Sequence, residues 1–271
     1  PDSSDFIRWM LENTKAQPTS EAMLEAGLQA EHQSIFLMLD HGAKIDMVGV
    51  GGNTLLTHAC ERGALGTAMV CIDRNAKIDF ETPTGHTALT QAAFFGQSDI
   101  VRMLLKKGAK IDYETQKGYT ALNQCCINGQ CEVARILLER GADPNRNNIF
   151  GHLPLTLAAR HGHVEMISVL IARKAKVNME SRTGGRIALV EACRFNHPEV
   201  VRKLIAFNDK TPDDFAVAME ISGNVIKYHV AVGDGVKEGD RLISVVSMKM
   251  ETVIRSPKEG VIVALQEDFK E

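Results

Sequence analysis

The chain has 271 residues, of which 44% are hydrophobic and 24% are charged, a composition typical of a globular protein with room for two domains. Its net charge of -3 argues against a nucleic-acid-binding protein, which normally carries a strongly basic surface. No run of residues approaches the roughly 18 apolar residues of a membrane span, and the first residues lack the basic and apolar regions of a secretory signal. We therefore expect a cytoplasmic protein that binds neither nucleic acid nor membrane.

The N-terminal segment, residues 1–18, is predicted to contain one short helix. Residues 4–14 begin with Ser and Asp and place four apolar side chains on one helical face. We expect this helix to cover the exposed apolar end of the elements that follow it. Trp9 is expected to pack against those elements rather than to anchor a binding partner.

A 33-residue period organises the next part of the chain, residues 19–207. An alanine recurs at this interval, at Ala43, Ala76, Ala109, Ala142 and Ala175. A leucine keeps the same step, at Leu56, Leu89, Leu122 and Leu155. A fixed period of this length predicts a solenoid, in which each unit buries its apolar face against its neighbours.

Each unit is predicted to form two short antiparallel helices. In the third unit an apolar stripe over residues 88–93 precedes Gly96, and a second stripe over residues 100–105 ends at Gly108. Gly108 can adopt the left-handed backbone conformation that closes a helix, and so can the glycines at equivalent positions, Gly42 and Gly141. Helices this short depend on stacking, because isolated helices need about 12 to 15 residues for stability.

The repeated residues resemble a known family. The pattern G-x-T-x-L-x-x-A-A-x-x-G followed by L-L-x-x-G-A-x-x-D/N is similar to the ankyrin repeat, and the T-P-L-H motif of that family appears four times with its histidine replaced. The resemblance implies an all-α ankyrin solenoid whose last unit serves as a C-terminal cap. It predicts six repeats, at residues 19–51, 52–84, 85–117, 118–150, 151–184 and 185–207.

The ankyrin resemblance also implies a binding surface for a protein partner. Partners of the family contact the concave face, which consists of the turn tips and the exposed ends of the first helices. The matching positions are predicted to bind the partner here: Phe94, Phe95, Tyr119, Ile127, Asn128, Phe150, Arg160 and His161. Clustered aromatic side chains are typical anchors of an interface, although local packing between turns remains open as their role.

Other chemical sites are not expected in this part of the chain. The stretch Gly49–Gly52 lacks the strand and the lysine of a phosphate-binding loop, so we interpret it as a turn between repeats. Six cysteines without a CxxC pair predict reduced thiols in a core. His161 and His163 lack further ligands, so no metal site is expected. No catalytic arrangement of nucleophile and base recurs.

After a linker at residues 208–216, the pattern changes to strand-like pieces separated by glycines. The tripeptide Met248-Lys249-Met250 lies between two of these pieces, with V-G-D-x-V-x-x-G-D before it and S-P-x-x-G-x-I after it. Residues 217–271 thus resemble a biotinyl domain of the biotin carboxyl carrier type. This implies a small all-β barrel-sandwich hybrid, biotinyl/lipoyl-like, with biotin attached covalently to Lys249 between Met248 and Met250.

The resemblance implies a biotin protein ligase and a biotin-dependent carboxylase as partners, and a carrier role without catalysis of its own. Lipoyl domains share this fold but carry D-K-A at the turn, so the two methionines favour biotin. The second half of the domain stops early, so we expect an incomplete module with an open sheet edge. Two alternatives stay open: a pure ankyrin adaptor whose Lys249 is an unmodified, solvated side chain, and an artificial tag fused to the array.

Overall fold

The computed structural model describes residues 9, 12–13, 17–29, 32–179, 187–208, 224–228, 235–236, 241–247, 250–255 and 260–261. The chain divides into two units, Pro1–Ala188 and Leu189–Glu271. Within the described ranges, no helix is long and apolar enough to cross a membrane.

The regular elements described between residues 20 and 208 are all helices, as the period predicts. Twelve helices are described there: α1 Ser20–Leu28, α2 His32–Asp40, α3 Leu55–Arg62, α4 Leu65–Asp73, α5 Ala88–Phe94, α6 Ser98–Lys106, α7 Ala121–Asn128, α8 Cys131–Glu139, α9 Pro154–Arg160, α10 Val164–Ala172, α11 Ala188–Arg194 and α12 Pro198–Asn208. From α1 to α10, each odd-numbered helix packs against the even-numbered helix that follows it and against the odd-numbered helices of neighbouring pairs. This stacking stabilises helices that are too short to form alone.

Threonines begin four of the first helices. The side chains of Thr19, Thr54, Thr87 and Thr120 each accept a hydrogen bond from the backbone amide three residues later. In two of these helices the bond is reciprocated, because Thr57 Oγ1 accepts from Thr54 N and Thr90 Oγ1 accepts from Thr87 N, both at 2.8 Å. Threonine therefore makes local hydrogen bonds at the position where the family motif has histidine.

The second helices end in a left-handed residue, as predicted for three glycines. Gly42, Gly108 and Gly141 have φ values of 92°, 95° and 97°. The equivalent residues of two other repeats, Asn75 and Lys174, adopt the same conformation without glycine, at 63° and 66°. The amide of the residue after each of them then bonds back to a carbonyl of the helix, which closes the helix end.

The buried side chains of the core recur with the same 33-residue period as the sequence. Five fully buried side chains lie 33 residues apart on the second helices, at Met38, Cys71, Leu104, Leu137 and Leu170. A second buried column on the first helices contains Cys60, Ala93, Cys126 and Ala159. Four cysteines of the array are thus buried, as predicted, and several stand where other repeats have apolar residues. Each fully buried Leu, Ile or Met contributes about 1.5 to 3 kcal/mol.

Five strands are described in the second unit: β1 Asn224–Tyr228, β2 Gly235–Val236, β3 Arg241–Ser247, β4 Met250–Arg255 and β5 Gly260–Val261. β3 lies between β1 and β4 in an antiparallel sheet, and β2 pairs with β5. The register shifts between Val225 and Lys227 in β1 and between Arg241 and Ile243 in β3. Such irregularities bend a strand and increase its twist.

Three predicted features fall wholly or partly outside the described residues. They are most of the N-terminal helix at residues 4–14, the linker at residues 208–216 beyond its first residue, and the pair Met248 and Lys249. Trp9 is described and is 57% exposed, so the expectation that its side chain is packed is wrong.

Candidate functional site

Four similar turns carry the tips of the concave face, and they span residues 49–53, 82–86, 115–119 and 148–152. In each turn the amide of the first residue donates to the carbonyl of the last, at 2.9 to 3.0 Å. The glycine at the fourth position donates back to the first carbonyl at 2.7 to 2.8 Å. The expectation that Gly49–Gly52 forms a turn between repeats is therefore confirmed.

Side chains brace these turns from within. Thr82 Oγ1 accepts from the amide of His86 at 3.2 Å, and Thr115 Oγ1 accepts from the amide of Tyr119 at 3.1 Å. Asn148 Oδ1 does the same for His152, at 2.8 Å. A short polar side chain that bonds to its own turn reduces the freedom of the tip.

Neighbouring turns also contact one another. A Cβ atom placed on Gly118 would lie 2.7 Å from the Phe150 ring and 2.8 Å from the Ile149 side chain, so both side chains cover this glycine. Asn148 Nδ2 donates to the Gly118 carbonyl at 3.3 Å, and Ile149 N donates to the Glu114 carboxylate. Contact with the preceding turn therefore fixes the position of Phe150.

Phe150 is both packed against a neighbouring turn and exposed, which is compatible with either role that the sequence left open. Its ring covers Gly118, yet 52% of the residue remains exposed. Ile149 beside it is 59% exposed. Val50 occupies the position equivalent to Ile149 in the first turn and is 92% exposed, and the sequence analysis did not identify it as a candidate. The signal that could have identified Val50 is an apolar residue at the tip of a predicted turn.

The ends of the first helices supply the second part of the concave face. Phe95 directly follows α5 and is 40% exposed, whereas Phe94 is half-buried. The two rings lie 4.8 Å apart at an interplanar angle of 60°. Ile127 and Asn128 end α7 and are half-buried, and Asn128 Nδ2 donates to the carbonyl of Gln124 at 3.0 Å.

The backbone at these helix ends is held by the next repeat. Gln130 Nε2 donates to the Phe94 carbonyl at 3.3 Å. His163 Nε2 lies 2.9 Å from the Ile127 carbonyl, which accepts a hydrogen bond when that nitrogen is protonated. In α9 the equivalent position is Arg160, which is half-buried, and the exposed His161 follows it. The His161 and His163 rings lie 6.3 Å apart and nearly parallel.

Aromatic rings also stack between turns. The His86 and Tyr119 rings lie 5.2 Å apart and only 9° from parallel. Burial, and to a lesser extent the charge of Lys117, lowers the pKa of His86. Nδ1 of His86 is buried and has no hydrogen-bond partner among the described residues. At neutral pH His86 is therefore an uncharged ring that extends the flat surface begun by Tyr119.

Among the described residues outside this surface, the titratable groups form no metal-binding cluster. The described residues contain no group of three or more His, Cys, Asp or Glu side chains arranged to hold a metal ion. Burial raises the pKa of the Cys71 thiol to about 12, and that of Cys125 well above its ordinary value. Such thiols are protonated and unreactive at neutral pH.

A tight hairpin frames the second candidate site. β3 and β4 are antiparallel, and Ser247 at the end of β3 pairs with Met250 at the start of β4. Met248 and Lys249, the two residues that separate these partners in the chain, lie outside the described residues. Two-residue connections are the shortest common hairpin links.

The comparisons with known proteins identify two families. Residues 22–115, 72–148 and 145–214 match the family model described as ankyrin repeats, in three copies that together extend from residue 22 to residue 214. Residues 214–268 match the family model described as "Biotin-requiring enzyme", which covers biotin and lipoyl attachment domains. No curated protein matches the chain significantly.

Proposed function

Since the chain belongs to the ankyrin-repeat family and ends in a module of the biotin and lipoyl attachment family, we propose that it is a binding scaffold with a biotin carrier. The concave face docks a protein partner, and Lys249 carries covalently attached biotin. Ankyrin repeats and attachment domains are not catalytic in themselves. The chain therefore brings a carried group to a partner and leaves the chemistry to that partner.

One observation supports the docking surface best. Three large apolar residues of adjacent repeats, Phe95, Ile149 and Phe150, stay between 40% and 59% exposed. Backbone groups at or next to them, the Phe94 carbonyl and the Ile149 amide, bond to neighbouring repeats. Exposed apolar side chains on a rigid frame lose little conformational entropy when they bind. Clustered aromatic residues of this kind are typical energetic anchors of protein interfaces.

The remaining candidates have graded roles in this proposal. Tyr119 extends the flat ring surface through its stack with His86. Phe94 and Ile127 are half-buried and support the exposed rings beside them. Asn128, Arg160 and His161 form the polar part of the face, where contacts adjust specificity more than affinity.

Docking is tested by comparing variants with a matched control. The chain is immobilised, exposed to a cell lysate, and its bound proteins are quantified by mass spectrometry. Phe95→Ala with Phe150→Ala should reduce capture of the specific partner at least tenfold. The control is Met69→Ala, which truncates an exposed apolar residue on α4, away from the concave face. Equal capture by all three proteins would contradict the proposal.

The hairpin supports the carrier part of the proposal. The pairing of Ser247 with Met250 leaves only Met248 and Lys249 to join β3 and β4. A lysine in so short a link is accessible to a modifying enzyme, and biotin protein ligase is the partner that we propose. Bound biotin carries an activated carboxyl group on its ring nitrogen, and a carboxylase is the enzyme class that uses it. The flanking methionines favour biotin over lipoate.

Modification is tested by intact mass spectrometry of the chain after coexpression with a biotin protein ligase. We expect the mass to rise by one biotinyl group, with streptavidin binding, and both signals to disappear in Lys249→Ala. Coexpression with a lipoate ligase provides the contrasting reaction. An unchanged mass with both ligases would favour the second candidate function, an ankyrin adaptor whose Lys249 is unmodified.

Finer features of the architecture belong to the same proposal. We infer six repeats with the sequence-based bounds, because the described helices form six successive pairs. We further infer an N-terminal cap at residues 1–18, a linker at residues 208–216 and a barrel-sandwich module at residues 217–271. A cytoplasmic location is supported by cysteines that remain free thiols.

A further inference from the structure

A basic surface runs along the array on the side where the second helices end. It consists of the five segments 39–47, 72–80, 105–113, 138–146 and 171–179, which we call the basic stripe. The stripe contains eleven Lys and Arg residues and seven Asp and Glu residues. Because the segments lie one period apart, the same positions recur in each repeat and their charges form columns.

Three of the seven carboxylates of the stripe are neutralised by ion pairs between adjacent repeats. The pairs are Asp40 with Arg74 at 3.6 Å, Asp73 with Lys107 at 3.4 Å, and Glu139 with Arg173 at 2.7 Å. Each pair joins one repeat to the next, so these charges contribute to the frame of the stripe rather than to its free surface.

The other carboxylates of the stripe accept hydrogen bonds from the backbone. Asp46 Oδ1 accepts from the amide of Lys77, and Asp79 Oδ1 accepts from the amide of Lys110, each at 3.1 Å. The last two are bound in the same way, Asp112 by the backbone of Asp143 and Asp143 by the amide of Asn145. Two of these bonds hold the backbone of a lysine, Lys77 in one repeat and Lys110 in the next, so that their side chains project from a rigid support.

Seven cations of the stripe remain without a carboxylate partner among the described residues. All seven are exposed: Lys44, Lys77, Lys106, Lys110, Arg140, Lys174 and Lys176. Lys107, Arg74 and Arg173 are used in the ion pairs above, and Arg146 lies 3.9 Å from Glu114. With eleven cations and seven carboxylates, the stripe carries a net charge of +4.

Helix stabilisation does not account for these charges. Basic residues in the last turn of a helix interact favourably with its macrodipole, but the effect fades within that turn. Lys77 lies four residues beyond the end of α4, and Lys110 lies four residues beyond the end of α6. Lys44 and Lys176 occupy the equivalent places after α2 and α10, whereas Asp143 occupies it after α8. This column of lysines is available for another anion.

We propose that the basic stripe binds an extended acidic segment of a protein partner, with carboxylates facing Lys44, Lys77 and Lys110 in three successive repeats. A peptide fits better than a nucleic acid because its flexible acidic side chains can turn toward the cations and away from the interleaved carboxylates, whereas a phosphate backbone is charged continuously. The chain also has a net charge of -3, unlike the strongly basic domains that bind nucleic acid. The proposal is independent of the concave face and of Lys249.

The test uses a fluorescein-labelled polyglutamate peptide of about 20 residues and the full chain, with fluorescence anisotropy as the readout. We expect binding at about 50 mM salt that weakens at least tenfold at about 300 mM salt, because exposed charges are screened over that range. Lys77→Glu with Lys110→Glu should raise the Kd about tenfold or more. The control, Arg62→Glu with Lys203→Glu, changes the net charge equally at exposed residues outside the stripe and should raise the Kd less than threefold.

Each other outcome overturns the proposal. Equal weakening in both double variants would mean that only net charge matters, and no binding at low salt would mean that the stripe does not hold acidic peptides. A single-stranded oligonucleotide of the same charge serves as the competing probe. If it binds more tightly than polyglutamate and loses that affinity in Lys77→Glu with Lys110→Glu, the stripe is a phosphate-binding surface instead. Circular dichroism confirms that the variants are folded.

Discussion

Replacement of Asn123 by threonine should stabilise the array, because Asn123 follows a threonine cap, Thr120, without closing the reciprocal bonds that two other repeats make. It occupies the position at which Thr57 and Thr90 close the reciprocal bonds at the start of the first helix. Asn123 is only 2% exposed, and neither its Oδ1 nor its Nδ2 has a hydrogen-bond partner among the described residues. A buried amide without partners destabilises the folded state.

The magnitude follows from three contributions. Loss of hydrogen bonding by a buried polar group costs about 1 to 3 kcal/mol, which threonine would relieve. In the equivalent helix the threonine hydroxyl both accepts from the amide of Thr87 at 2.8 Å and donates to its carbonyl at 3.0 Å. Threonine has one heavy atom fewer than asparagine, so the substitution leaves a small cavity. This cavity reduces the gain in stability by up to about 1 kcal/mol. We expect a net stabilisation of about 1 to 2 kcal/mol for Asn123→Thr.

Urea unfolding of the full chain, followed by far-ultraviolet circular dichroism, measures this change as a higher midpoint at an unchanged slope. The reverse substitution in an intact repeat, Thr90→Asn, should lower stability by a similar amount and serves as the matched control. A lower midpoint for Asn123→Thr would refute the reasoning, since it would show that the asparagine amide makes interactions that threonine cannot replace.

Two further predictions concern the turns and the pH range. Gly118→Ala should destabilise the chain by about 2 kcal/mol or more in the same urea assay, because the added Cβ would clash with Phe150. Gly108 has a positive φ as well, but a Cβ there would meet open space. Gly108→Ala should therefore cost only about 1 kcal/mol of stability. Stability should fall in melting experiments at both pH extremes, through His86 below about pH 6.5 and through Cys71 above about pH 8.5.

The signs of the pH effects follow from proton binding. Burial lowers the pKa of His86, so the unfolded chain takes up a proton first as the pH falls, and acid favours unfolding. Burial raises the pKa of Cys71 to about 12, so the unfolded chain loses a proton first as the pH rises. Equal costs for the two glycine variants, or a melting temperature that stays constant outside pH 6.5 to 8.5, would contradict these assignments.

The helices and the buried cysteines were predictable because one period determines both. The buried column of Met38, Cys71 and Leu104 repeats at the interval that the sequence displays, so burial of the thiol follows from its position. Each helix depends on a few neighbouring residues, and each buried position depends on stacking between repeats of the same fold. Both can therefore be predicted from the sequence.

The exposure of individual rings was not predictable. Phe94 and Phe95 are adjacent, and the sequence treats them alike, yet Phe94 is half-buried and Phe95 is 40% exposed. The difference depends on where α5 ends and how the next repeat packs on it. Trp9 was expected to be packed and is mostly exposed. In both cases the outcome depends on tertiary contacts that no short pattern encodes.

A comparison of two columns separates structural positions from binding positions. Asp46, Asp79 and Asn145 all accept the amide of the following repeat, so contact between repeats restricts that column to short oxygen-bearing side chains. The column at residues 94, 127 and 160 holds Phe, Ile and Arg instead. The next repeat binds the backbone carbonyl at 94 and lies in hydrogen-bonding reach of that at 127, whatever the side chain. A held backbone with an unrestricted side chain is what a recognition surface requires, and this column therefore supports the proposed docking surface.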